Sequence, residues 1–277
     1  MHALPLVFSL LSGAILAPAL LRSLQIGGHL RANFRDRMLP FPFGVLAPLA
    51  AAVALIPVLL IQRLGSTEVL RPEFLPVVIY ALGVIALGLI DDVFGGRPGA
   101  PRGWRGHGSA TLQGEFSTGA LKGAGSLGLA LLAMSLLPFS DGRWLLATGV
   151  LVLSTNVFNL LDLRPGRATK AFLLLGAGLT LGALDVQPLW ALGLFAAPAV
   201  LAGFYDLRER AMIGDTGANL LGALAGLWLV LTLSGTGQAI ALALLIAITL
   251  YGELRSISAL IERTPVLREL DSWGRPS

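Results

Sequence analysis

The chain contains no cysteine. Disulfides, thiolate metal ligands and a cysteine nucleophile are therefore excluded. Histidine is nearly as scarce, since His2, His29 and His107 are the only three and stand far apart. Charge is sparse too. Only 13% of the 277 residues are charged while 55% are hydrophobic, and mean hydropathy is +0.78. A water-soluble domain cannot hide that much apolar surface, so the solvent must be a bilayer. The sequence also lacks a linker, a low-complexity tract or a charge block, so residues 1–277 are expected to form a single integral membrane domain. The pI near 10.1 does not point to nucleic acid, because the basic residues are scattered through short loops rather than clustered.

What the sequence has is long apolar stretches. Given about 17–25 residues per crossing, nine spans are expected at Ala3–Leu24, Phe43–Leu64, Phe74–Ile90, Gly119–Phe139, Trp144–Leu161, Thr169–Leu184, Leu189–Asp206, Thr216–Leu233 and Gln238–Ile261. The fold class is then all-α, a polytopic membrane helix bundle. Ala17-Pro18-Ala19 resembles a signal-peptidase site, but no basic segment precedes the first span and Arg22 lies at its far end, so the span reads as uncleaved. With nine spans, alternate loops share one side. That side holds all the Lys and Arg except Arg63, Arg71 and Arg143, a 17-to-3 split of the twenty. The N-terminus is expected outside and the C-terminus in the cytoplasm. Gly119/Gly123 and Gly222/Gly226 have GxxxG spacing, which favours close helix packing, with a homodimer as the second reading.

The polar clusters all fall on the expected cytoplasmic side. The third span ends in Asp91-Asp92. Two adjacent carboxylates at a helix C-terminus repel each other and oppose the helix dipole, and a nearby cation relieves both costs. The fifth span ends in Asn156-Val157-Phe158-Asn159-Leu160-Leu161-Asp162, whose spacing of three places the polar groups on one stripe. A pocket bonding amide and hydroxyl groups is the functional reading, and a cross-helix bond from a single Asn is the structural one. Next come Arg164, Pro165, Gly166, Arg167 and Lys170. The Pro-Gly turn leaves three cations for phosphate oxygens, or they merely flank the membrane. The eighth span opens with Gly214-Asp215-Thr216-Gly217, where helix amides attract anions and Asp215 is either a carboxylate facing the others or an N-cap. Lys122 and Lys170 are the only lysines; both fall in the first turns of spans after motif-bearing loops, where a compact ammonium suits phosphate.

In that order and at those positions, LGLIDD, NVFNLLD and IGDTGA resemble the membrane family (glycosyltransferase family 4) that includes phospho-N-acetylmuramoyl-pentapeptide translocase and the N-acetylglucosamine-1-phosphate transferases. The resemblance covers about Asn33 to Gly226. It implies attack of a polyprenyl phosphate on the sugar-linked phosphate of a UDP-sugar, with release of UMP, at the cytoplasmic face of the cell membrane and for cell-wall or related polymers. Asp91, Asp92 and Asp162 are then the catalytic carboxylates, with Asp91 and Asp92 serving the metal and the lipid nucleophile. Asp215 and Asp92 are implied as ligands to Mg2+, with Mn2+ as an alternative. Asn156, Asn159, Lys122, Arg164, Arg167 and Lys170 are the implied substrate-binding set.

The chain departs from the family in several places. Leu163 follows Asp162 where a glycine is common, Arg37–Gly44 replaces a threonine- and glycine-rich loop, and the His-rich loop near the family's C-terminus is missing. Tyr251–Ser256 differs in kind, and no tenth span follows. The arginines and Lys170 are expected to cover the mouth in place of the histidines, with Arg255 approaching from the ninth span. Two rival readings are a secondary transporter, whose carboxylates belong near the bilayer midplane in inverted repeats, and a catalytically altered lipid-binding relative. A CDP-alcohol phosphotransferase requires a DxxDG…AR…D…D pattern that is absent.

Overall fold

A computed structural model of the chain describes residues 1–95 and 117–276. Most of the Gly- and Arg-rich loop after Asp92, with His107, lies outside the described residues. Among those described, nine long helices appear where the apolar stretches predict them: α1 (Leu4–Ile26), α2 (Leu46–Leu64), α3 (Phe74–Phe94), α4 (Thr118–Ser135), α5 (Asp141–Leu161), α6 (Arg167–Ala183), α7 (Gln187–Leu207), α8 (Gly214–Thr232) and α9 (Gly235–Leu254). Two short helices follow, α10 (Ile257–Arg263) and α11 (Pro265–Ser272).

Seven of the described helices are long and apolar enough to cross a membrane, fewer than the nine crossings expected. The two that fall short are α4, diluted by glycine, serine and Lys122, and α6, 17 residues long with Arg167 and Lys170 in its first turn. The ninth helix also stops early, at Leu254 rather than Ile261. Arg255 is extended there, and the Ser256 side chain accepts from the Ala259 amide and so caps a new helix. Between α1 and α2, where only a loop is expected, β1 (Leu30–Ala32) pairs antiparallel with β2 (Met38–Pro40), Arg31 opposite Leu39.

The bundle is organised around α8, which is buried along most of its length and packs on α3, α5, α6 and α7. Its sequence accordingly reads apolar all round. Gly222 and Gly226 face α5, where an added Cβ would lie 2.7 Å from Thr155 Cα and 3.1 Å from Leu151 Cα. That pair does the close packing its spacing predicts. Gly119 and Gly123 do not, because both line an open cavity and an added Cβ at Gly123 meets nothing within 4 Å.

Candidate active site

The last turn of α3, the first turns of α4 and α8 and the end of α5 converge at one end of the bundle. Adjacent helices running in alternate directions bring these four ends together, and with them the three motifs. Gly88 permits the contact of α3 with α8: a Cβ there would stand 2.6 Å from the Asp215 carbonyl oxygen and 2.8 Å from Thr216 Cα.

The centre is Lys122. Its ammonium bonds Asp91 Oδ2 at 3.3 Å and pairs with Asp215 Oδ2. Asn159, with its amide nitrogen turned to Asp215 Oδ1 (3.1 Å) and its oxygen to Lys122 Nζ (3.0 Å), closes the group. One residue from each of four helices thus shares a single charge network. Asp92 is buried and turns the other way. Its Oδ1 accepts from the Asp215 amide at 2.9 Å, and its Oδ2 accepts from the Thr216 amide at 2.9 Å and the Thr216 hydroxyl at 2.6 Å. Asp92 therefore caps α8 from another helix, satisfying amides that a helix start leaves open. Asp215 is not that cap, since it sits inside the first turn. Gly214 adopts a left-handed φ of 67°, and a Cβ there would stand 2.7 Å from Asp92 Oδ2, so the Gly-Asp pair is what this approach requires.

Asp162 follows α5 and is partly buried. Burial, then the carboxylates of Asp206, Asp215 and Asp92, push its carboxyl well above the ordinary range. That excess of negative charge over the single ammonium suits a further cation. The donor set is all oxygen, as hard cations such as magnesium prefer. Asp91 and Asp215, already converging on one positive charge, are the two placed to share such an ion. Asp92 has committed both of its oxygens to α8. Among the described residues, no three acidic or histidine side chains converge closely enough to form a metal cage by themselves.

A cavity of about 370 Å3 opens beside Lys122 and Asn159, between α4, α5 and α9. Asn156 lines it and also donates to Thr249 of α9 at 3.4 Å, the cross-helix bond that the sequence allows. Deeper in, Val152 and Leu153 make the wall apolar. Thr155 is tied to Tyr80 of α3 at 2.9 Å, which braces α3 against α5.

The expected cationic clamp is not gathered here. Arg164 stacks over Phe34 at 4.5 Å and reaches Glu262 at 3.5 Å. Arg167 is buried in a bidentate pair with Asp271 and also bonds Ser258. Lys170 donates to the carbonyls of Leu270, Asp271 and Trp273. All three have these partners in the chain rather than Asp91 or Asp215. Arg255 is exposed at the end of α9.

Two residues went unnoticed in the sequence. Asp206, buried at the end of α7, accepts from the Gly166 amide at 2.6 Å and so fixes the Pro-Gly turn beside Asp162. The signal was available, because Asp206 ends an apolar helix just as Asp91 does. Glu209 is buried in the loop before α8, bonded by Asn33 at 3.1 Å with Arg35 and Arg37 each at 3.6 Å. It joins the β-hairpin to the segment that leads into Asp215, and Met212 and Pro40 are hydrogen-bonded at 2.9 Å alongside.

No protein-family model matches the chain. It is 34% identical over 189 residues to the phospho-N-acetylmuramoyl-pentapeptide-transferase of Synechococcus sp. (strain JA-3-3Ab). Over that stretch the chain is similar to this transferase. The match covers 65% of the chain and 54% of the relative, so the chain spans about half the length of the curated transferase it matches.

Proposed function

We propose that the chain transfers a sugar-1-phosphate, of the N-acetylhexosamine-1-phosphate class, from a UDP-sugar to a polyprenyl phosphate and releases UMP. The observation that carries this reading is the meeting of Lys122, Asp91, Asp215 and Asn159. Residues from all three motifs and the one lysine of α4 form one compact charged centre at a helix-bundle end, beside a cavity. Similarity to a phospho-N-acetylmuramoyl-pentapeptide-transferase supports it.

In this reading a phosphate oxygen of the lipid attacks the sugar-linked phosphorus. The bond from that phosphorus to the bridging oxygen breaks, and UMP leaves with the electron pair. Magnesium, or manganese, supplies charge neutralisation on the diphosphate when bound. Asp91 and Asp215 would hold the ion, and Lys122 presents its ammonium to phosphate oxygens. Asp91 takes up the lipid phosphate's proton, and Asp162 orients its oxygen. Asn156 and Asn159 line the cavity that receives the nucleotide or sugar. Asp92 acts through Asp215, by fixing the start of α8. We place the site at the cytoplasmic face, with all nine long helices crossing the bilayer and the N-terminus outside, on the basic-residue asymmetry.

A transporter is disfavoured because Asp91 lies in the last turn of α3 and Asp215 in the first turn of α8, at helix ends rather than mid-bilayer. The test is to incubate the purified protein with undecaprenyl phosphate, magnesium and a panel of UDP-sugars. Appearance of a lipid-extractable sugar diphosphate supports the proposal, and its absence with every sugar opposes it.

A further inference from the structure

The C-terminal segment after α9 carries a surface that the transferase reading does not use. On α11, Val266, Leu267, Leu270 and the capping Trp273 share one arc, with Arg268 and Ser272 opposite. All four apolar side chains are exposed, Trp273 at 75%. A contiguous exposed patch of this kind marks an interaction surface.

The rest of the segment is fastened down. Asp271 accepts from Arg167 at 2.7 and 3.0 Å and from Arg275 at 2.6 Å, and Lys170 holds the carbonyls of Leu270 (2.9 Å) and Trp273 (3.2 Å). These bonds tie α11 to the first turn of α6, at the membrane edge where the carboxylates lie. Between the two helices is an almost wholly apolar cavity of about 260 Å3, with Leu173 and Leu174 on the α6 wall and Leu267 and Leu270 on the other. Leu173 and Leu174 are themselves exposed, at 42% and 60%, on the outer flank of α6. In a membrane bundle that flank meets lipid, and the apolar arc of α11 continues it. Arg263 and Arg268 are exposed with Glu262 and Glu269 beside them, so the apolar arc rather than net charge directs this helix to the membrane.

We propose that α11 is an interfacial anchor. It lies in the headgroup–acyl boundary of the leaflet on the carboxylate side, burying Val266, Leu267, Leu270 and Trp273 among membrane lipid. The cavity against α6 accepts an acyl chain. Trp at the bilayer interface and an apolar face are what such a helix needs. The Arg167–Asp271 pair then holds a membrane-seated element to the turn beside Asp162.

Because the chain has no native cysteine, single substitutions Val266→Cys, Leu270→Cys, Arg268→Cys and Ser272→Cys each give one site for an environment-sensitive fluorophore. The full-length protein is reconstituted in phosphatidylcholine–phosphatidylglycerol vesicles. Lipid spin-labelled high on the acyl chain is expected to quench positions 266 and 270 at least about threefold more than positions 268 and 272, with aqueous iodide giving the reverse order. Equal iodide quenching at all four positions overturns the proposal. So does a disulfide joining two copies through Val266→Cys, which puts a second copy of the chain on this face. Adding Asp271→Asn should raise iodide access at position 270, and unchanged access contradicts the latch.

Discussion

Asp92 and Thr216, 124 residues apart in sequence, are joined by two hydrogen bonds to one carboxylate oxygen, from the Thr216 amide at 2.9 Å and its hydroxyl at 2.6 Å. With the bond from the Asp215 amide to the other oxygen, the pair fixes the end of α3 to the start of α8. The carboxylate of Asp215 is held toward Lys122 as a consequence. In the fold, Asp92 is a cap that places its neighbour.

Replacing Asp92 therefore affects folding as well as turnover. Asp92→Ala leaves two buried amides and a hydroxyl without their acceptor, at a cost of about 1–3 kcal/mol for each group left unsatisfied. Asp92→Asn keeps one oxygen and should cost less. Thermal unfolding in detergent should rank the parent above Asp92→Asn, and Asp92→Asn above Asp92→Ala. Equal midpoints for all three would mean the cap contributes nothing.

Lys122 should behave differently, because its partners are the carboxylates of the centre itself. Lys122→Ala removes the ammonium that Asp91 and Asp215 share, and kcat/KM for the UDP-sugar is expected to fall about a hundredfold or more, the scale on which one stabilising donor in a reaction centre is worth. Steady-state kinetics on folded protein measures this. Near-parental turnover would place the chemistry elsewhere.

Arg167 and Lys170 should show structural, not kinetic, effects. Arg167→Ala removes one of the two arginines that hold the Asp271 carboxylate, leaving Arg275 alone, and is expected to lower stability by about 1–3 kcal/mol, while turnover per folded molecule stays near the parent's. A raised KM for the UDP-sugar with unchanged stability would restore the phosphate-clamp reading.

The same pair carries a pH signature. Burial alone would raise the Asp271 carboxyl, but hydrogen bonds and charge from Arg167 and Arg275 outweigh it and hold the group at about 2, below its ordinary 3.8. A depressed carboxylate stabilises the fold above its unfolded value and loses that contribution as pH falls toward the folded one. The stability advantage of the parent over Asp271→Asn should hold down to about pH 4 and shrink between there and about pH 2. Thermal unfolding across that range measures it, and an advantage independent of pH would refute the pairing.

The proposed orientation is open to labelling. With Ser66→Cys and Ser272→Cys made one at a time, an impermeant thiol reagent should reach position 66 in intact cells and position 272 only after permeabilisation. Both sites are exposed, Ser66 in the loop after α2 and Ser272 at the last residue of α11. Labelling at 272 from outside would invert the assignment or change the number of crossings.

Much of this fold was legible because bilayer burial writes long apolar runs into the sequence, and all nine long helices follow those runs. The meeting of LGLIDD, NVFNLLD and IGDTGA was legible from alternation alone, since each motif stands at a helix end of the same parity. Three things were not. The capping role of Asp92 depends on side-chain direction, which spacing does not fix. The partners of Arg167 and Lys170 come from residues about a hundred positions away, in a segment whose short amphipathic helix is masked by its charge. Asp206 and Glu209 were overlooked because isolated acids beside arginines look like solvated helix ends, whereas here each binds the chain near the site.

The central claim is that the cluster around Lys122 transfers a sugar phosphate to lipid. It is tested most directly by following UMP release from a UDP-sugar, with purified protein, undecaprenyl phosphate and magnesium, for the parent and for Asp215→Asn, each with and without EDTA. The parent should release UMP in a lipid-dependent way that EDTA abolishes and that magnesium restores. It predicts no release by Asp215→Asn, although that variant inserts and unfolds like the parent. UMP release that survives both EDTA and Asp215→Asn would contradict it.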